Sequence, residues 1–163
     1  LLARLRDMGL PVPRPIAARC SKTSPFTYQG EVIVERICNA QTLAELLCQQ
    51  ALPEKTWEAI GLVIRRFHQH HVDHADLNAC NILLTAAGQI YLIDFDKSHI
   101  RCTRDHSWCQ SNLNRLRRSL QKWQAQQADF HCESRHWLAL ERGYQGAQSL
   151  PAHVSRTAPA ISR

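Results

Sequence analysis

The chain has 163 residues, 44% hydrophobic and 21% charged, proportions of an ordinary globular protein able to bury about 70% of the surface its unfolded form exposes. Twenty lysines and arginines against fourteen aspartates and glutamates leave a net charge of +6, which favours anionic partners such as nucleotides, acidic lipids or nucleic acid without choosing among them. No run of eighteen apolar residues, no signal-peptide pattern and no C-x-x-C pair among seven cysteines (Cys20, Cys38, Cys48, Cys80, Cys102, Cys109 and Cys132) argue against a membrane span or a secreted disulfide scaffold and predict a soluble protein of the reducing cytosol.

Leu1, Leu2, Leu5 and Met8 recur at helical spacing, and Gly9 offers a left-handed stop. The pattern starts partway into a helix and without Met, so the chain reads as a piece of a longer protein. Pro11, Pro13 and Pro15 fix three φ angles and predict a rigid connector into a strand near residues 16–19. A polar loop holding Ser21, Ser24, Pro25 and Gly30 follows, and the β-branched run at 32–37 predicts a short buried strand.

Beyond Asn39 the pattern turns helical. Thr42 followed by Glu45 has capping-box spacing ahead of Leu46 and Leu47, and a second helix from about Pro53 carries Trp57, Ile60, Ile64 and Phe67 on one face. Apolar runs at 82–84 and 90–93, joined by a turn at 85–89 that contains Gly88, predict a β-hairpin. Over about 108–126, Leu113, Leu116, Leu120 and Trp123 form an apolar stripe, with Arg115, Arg117, Arg118 and Lys122 largely off it. Residues 147–163 mix Pro, Ser, Thr, Ala and Arg without a period and are expected to be disordered.

The stretch richest in chemistry is His74-Ala75-Asp76-Leu77-Asn78-Ala79-Cys80-Asn81, followed by Ile93-Asp94-Phe95-Asp96. It fits H-x-D-L-x-x-x-N with a later D-F, the catalytic and metal loops of protein-kinase-like enzymes. Phosphoryl transfer needs a carboxylate to orient the attacking hydroxyl and accept its proton, and Mg²⁺ to offset charge on the phosphate oxygens. Asp76 suits the first task. Hard oxygen ligands suit Mg²⁺, so the Asp94 carboxylate and the Asn81 amide oxygen make a plausible ligand pair. His74 would orient the loop and Phe95 anchor the metal ligand. Local turns also gather His, Asp and Asn, but a short turn does not require the whole spaced pattern.

Two other clusters compete for attention. His68, His70, His71, Asp73 and His74 include an i,i+4 histidine pair that zinc would accept, but His74 is already claimed by the kinase pattern and no cysteine pair supports it. Cys80 is a soft thiol beside a proposed Mg²⁺ ligand and reads as a small filler. The basic positions Arg115, Arg117, Arg118 and Lys122 form either a solvated helix face or a contact for an anionic membrane surface. Nucleic acid is not expected, because no aromatic platform or DNA-reading motif accompanies the charge.

At these residues the chain resembles the lipopolysaccharide kinase family. The likeness extends through the run from Gly9 to Arg19, Leu92-Ile93-Asp94-Phe95-Asp96-Lys97 and the run from Asn112 to Ser119, and spans residues 1–144. What the resemblance implies is an α+β, protein-kinase-like fold, mainly the helical large lobe with a truncated small lobe. Residues 1–40 would be the small-lobe remnant and hinge, and 41–146 the large lobe. The implied activity is ATP-dependent phosphorylation, with Mg²⁺, of the 4-hydroxyl of a 3-deoxy-D-manno-octulosonic acid (Kdo) sugar on a lipid A precursor, at the cytoplasmic face of the bacterial inner membrane. Glu35, Ile37 and Cys38 would lie in the hinge near adenine. A heptose acceptor, or a non-catalytic kinase-like binding fragment, are the alternatives. The glycine-rich strand pair, phosphate-binding lysine and helical glutamate of such kinases are not assignable in this chain.

Overall fold

The computed structural model describes residues 1–22, 24, 27–102 and 105–146. The tail expected to be disordered, 147–163, lies outside the described residues. The opening helix α1 (Leu2–Asp7) buries Leu5, and Gly9 ends it at φ +72°. Beyond the prolines, β1 (Pro15–Lys22) pairs antiparallel with β2 (Tyr28–Val34).

This ribbon corrects the expectation of a buried strand at 32–37. The strand lies earlier and its partner runs longer than expected, so Gly30 sits in β2 and Ser21 in β1 rather than in a loop, and Ile16, Val32 and Ile33 are 59%, 57% and 60% exposed. β-branched residues suit a pleated backbone whether or not anything covers it, and among the described residues the ribbon is a two-stranded sheet of its own.

β3 (Ala40–Thr42) runs into α2 (Leu43–Gln49), where the expected capping box is formed. The Glu45 amide donates to Thr42 Oγ1 at 3.1 Å and the Thr42 amide to the Glu45 carboxylate at 2.8 Å, satisfying two otherwise orphaned helix donors. The Thr42 amide and the Thr42 hydroxyl, both donating to the Glu45 carboxylate at 2.8 Å, hold its pKa below the ordinary range. Next comes α3 (Glu54–Gln69), whose stripe Trp57, Ile60, Ile64 and Phe67 is at most 1% exposed. Each such side chain contributes about 1.5–3 kcal/mol by leaving water.

β4 (Val72–Asp73) is followed by a 3₁₀ turn (Ala79–Asn81) and the expected hairpin, β5 (Ile82–Thr85) with β6 (Ile90–Leu92). β3 joins β5 on its free side, giving the sheet order β3-β5-β6, while β7 (His99–Ile100) pairs with β4. The long helix α4 (Ser107–Gln126) buries Leu113, Leu116 and Leu120 as expected. A final helix, α5 (Ser134–Gly146), was not expected from the sequence. It packs along α3 through a Trp57–His136 ring stack at 5.4 Å and a bond from Arg65 to the Tyr144 carbonyl at 2.8 Å. The core lies between these helices and the hairpin, an α+β arrangement.

His68 on α3 is 5% exposed, bonds to the Tyr144 hydroxyl at 2.8 Å and meets the Trp108 ring edge-on at 5.0 Å. Burial lowers its pKa from 6.5 to about 4, against the upward pull of Asn112 and Asp73. Above pH 6.5 both folded and unfolded chains carry a neutral imidazole, so the full stability is present. As pH falls towards 4 the unfolded chain takes up a proton that the folded chain refuses, and stability declines by on the order of 3 kcal/mol. Denaturant unfolding across this window should therefore show a shallower pH dependence in His68→Gln than in the parent. Identical slopes would remove His68 as the cause.

Candidate active site

Asp76 and Asn81 lie on the loop between β4 and β5, and Asp94 just past β6. Backbone bonds across the hairpin join the two loops, since the Ile93 amide donates to the Asn81 carbonyl at 3.1 Å. His74, 1% exposed, ties them a second time. Its Nε2 bonds the Ile93 carbonyl at 2.9 Å and its Nδ1 the Asp76 amide at 3.3 Å. A carbonyl only accepts and an amide N–H only donates, so the ring is neutral with its proton on Nε2. Burial lowers the His74 pKa and favours that neutral form, although the Ile93 carbonyl and the charges of Asp94 and Asp76 pull the other way.

The Asp76 backbone is held at both ends, because its carbonyl accepts from Asn81 Nδ2 at 2.9 Å and from Asn78 Nδ2 at 3.1 Å. Its carboxylate is exposed. Asp94 adopts φ 63°, a left-handed conformation that aspartate tolerates better than most residues. Phe95, 6% exposed, stacks on Phe67 at 5.7 Å and leans on His74 at 4.7 Å, anchoring the segment into the core.

A second set of bonds fixes the loop from below. Buried Asp73 accepts from Arg101 at 2.7 Å and from Asn112 Nδ2 at 2.9 Å, while Asn112 Oδ1 takes the His74 amide at 3.1 Å. The Ala79 amide donates to Ser119 Oγ at 3.2 Å. These α4 contacts, unforeseen in the sequence, seat the loop on the long helix. Asp73 is thereby an ion-pair acceptor, not part of a histidine metal cluster. His70 and His71 are exposed, and among the described residues no three His, Cys, Asp or Glu side chains are grouped to hold a metal.

A cleft of about 740 Å³ opens between the ribbon and the hairpin, lined by Pro13, Val34, Glu35, Ile37, Leu83 and Asp94 among others. Glu35 and Ile37 therefore share a cavity with Asp94. Cys38 does not join them: it is exposed, with its thiol 3.8 Å from the Arg36 carbonyl, at a turn where Asn39 takes φ 52°. The Glu35 amide donates to the Arg14 carbonyl at 2.8 Å and its carboxylate pairs with Arg14 at 3.2 Å. The oxygens of Asn81 and Asp94 fit a hard divalent cation. Asn81 Nδ2 is spent on Asp76, which leaves Oδ1, and no described group donates to the Asp94 carboxylate.

Two loops stitched across a hairpin and seated on long helices, with a cleft beneath a β-ribbon, define a protein-kinase-like fold. The chain belongs to the lipopolysaccharide kinase (Kdo/WaaP) family, whose model matches residues 1–144. A protein named 3-deoxy-D-manno-octulosonic acid kinase from Haemophilus influenzae (strain 86-028NP) is 43% identical over 150 residues, which cover 88% of this chain and 60% of that protein. Its namesake from Photobacterium profundum is 39% identical, over 89% of this chain and 60% of its own length. The chain thus spans about 60% of the curated relatives it matches. In fold it is similar to WaaP in a solved complex with acyl carrier protein, with a TM-score of 0.66 at 19% identity over 88% of this chain and 63% of that one.

Proposed function

We propose that this chain carries the catalytic loops of an enzyme that transfers the terminal phosphate of ATP to the 4-hydroxyl of Kdo on a lipid A precursor. Asp76 is the base that receives the hydroxyl proton. Asn81 and Asp94 hold Mg²⁺, which supplies positive charge to the phosphate oxygens when bound. Residues 35–38 form the hinge beside adenine, with Glu35 and Ile37 facing the cleft, residues 1–40 belong to the small lobe and 41–146 to the large lobe. The observation that carries this reading is the pair of loops joined through His74 and the Asn81 carbonyl, with Asp94 lining a cavity of small-molecule size. The names of the curated relatives support the acceptor.

Access to a lipid-linked sugar requires contact with the membrane surface, here the cytoplasmic face of the inner membrane. No helix among the described residues is long and apolar enough to cross it. Arg115, Arg118 and Lys122 are exposed on α4 and suit an anionic leaflet, each basic residue near the surface adding about 1 kcal/mol. Arg117 is exposed as well and stacks over Trp137 at 5.5 Å.

The test uses the protein expressed from its complete gene, supplied with ATP, Mg²⁺ and either a Kdo-bearing lipid A precursor or a heptose-bearing acceptor. Phosphate should appear on the Kdo acceptor, and turnover on heptose alone would refute the assignment. In calorimetry, Asp94→Ala should abolish the part of ATP binding that depends on Mg²⁺ and leave any metal-free binding in place. Undiminished Mg²⁺ dependence in that variant would remove Asp94 as a ligand.

A further inference from the structure

A carboxylate works as a base only when one of its oxygens is aimed at the proton. Asp76 is exposed on a loop, and the terminal torsion that turns an aspartate's carboxylate is intrinsically broad. The restraint comes from Asn78. Its Nδ2 donates to Asp76 Oδ2 at 3.1 Å and to the Asp76 carbonyl at 3.1 Å. Its Oδ1 accepts from the Cys80 amide at 2.8 Å and so caps the 3₁₀ turn. This division of roles fixes the amide's orientation, since a flip would set its oxygen against a carboxylate and its NH₂ against an N–H donor. No described group donates to Asp76 Oδ1.

We propose that Asn78 is a positioning residue: it clamps Oδ2 of Asp76 and leaves Oδ1 turned out to receive the proton of the acceptor hydroxyl. The inference rests on Asp76 being the base. Asn78 adds no charge and forms no bond to the reacting atoms; it keeps the base in the narrow set of orientations from which transfer occurs. Misplacing a reacting group by about 1 Å is enough to cost roughly 10²-fold in rate.

The two ends of the Asn78 amide allow a test that separates aiming from folding. Asn78→Asp and Asn78→Ser both keep an oxygen for the Cys80 amide and lose the NH₂ that reaches the carboxylate, whereas Asn78→Ala loses the cap as well. In the protein expressed from its complete gene, the Ser variant should melt as the parent does, and the Asp variant, which sets a second carboxylate against Asp76, somewhat lower. Their kcat should fall about 10- to 100-fold with the KM for ATP unchanged. Combined with Asp76→Asn, Asn78→Ser should cause no further loss, because a residue acting only through Asp76 has nothing left to aim.

Parent-like kcat in the Ser and Asp variants, with loss confined to Ala, would reduce Asn78 to a cap and overturn the proposal. So would a raised KM for ATP, or losses that multiply in the double variant, since either places the action of Asn78 elsewhere. In all three cases the base assignment survives if Asp76→Asn alone is inactive. Full activity of Asp76→Asn would instead refute the base itself, and the aiming role with it.

Discussion

Replacing Asp76 by asparagine is expected to lower kcat about 10²- to 10⁴-fold, a loss of roughly 3–5 kcal/mol in transition-state stabilisation, with little change in the unfolding midpoint. The reason for expecting so clean a separation lies in how the residue is held. Its amide bonds to His74 and its carbonyl accepts from Asn81 and Asn78, and none of these uses the side chain. The side chain is exposed, so exchanging a carboxylate oxygen for NH₂ leaves no buried group without a partner. Asparagine keeps an oxygen that can still receive Asn78 Nδ2. The chemical difference is therefore confined to the ability to take a proton. Steady-state kinetics on the Kdo-bearing acceptor, paired with a thermal melt, checks both halves. A kcat within tenfold of the parent would end the assignment.

The sequence grouped His74, Asp76, Asn81 and Asp94 because a kinase-like site would need a base and metal-ligating oxygens on either side of a hairpin, and the hairpin has its own alternating pattern. The structure forms that hairpin and bonds the two loops across it, through His74 and the Asn81 carbonyl. Helices α3 and α4 were legible by period. What the sequence left open is partnership. Asp73 entered the sequence reading only through a histidine cluster that was set aside, and its partners Arg101 and Asn112, 28 and 39 residues away, could not be named. The clamp from Asn78 to Asp76 is a side-chain bond between residues two apart, set by rotamers that spacing does not reveal. For the ribbon, β-branched composition reports backbone preference and says nothing of what lies on either face, so Val32 and Ile33 were read as buried and are exposed.

The unforeseen helix α5 has a physical reason for escaping notice, and it leads to the second large effect. Gly143 interrupts the stripe formed by Trp137, Leu140 and Tyr144, and glycine lowers helix propensity by about 1 kcal/mol relative to alanine. From propensity alone, Gly143→Ala should stabilise the protein. Packing reverses the sign. A Cβ at Gly143 would lie 1.9 Å from the Glu58 carbonyl oxygen and 2.6 Å from its Cα, and one at Gly61 would lie 2.0 Å from the Leu140 carbonyl oxygen, far inside the ~3.5–4.0 Å at which non-bonded carbons settle. Both obstacles are helix backbone, which cannot swing aside as a side chain does. The helices would have to part, loosening the Trp57–His136 stack, the pairing of Arg142 with Glu54 and Glu58, and the Tyr144–His68 bond.

Overpacking of this kind costs about 1–3 kcal/mol and occasionally more, and two backbone collisions on facing helices put Gly143→Ala and Gly61→Ala at or above the upper end. Each variant should lower the denaturation midpoint and the pair together should fail to fold stably, since no relative shift of α3 and α5 relieves both contacts without opening the core. Thermal melts of the two single variants decide it: a midpoint raised by Gly143→Ala would show that propensity outweighs contact and that the helices do not approach this closely.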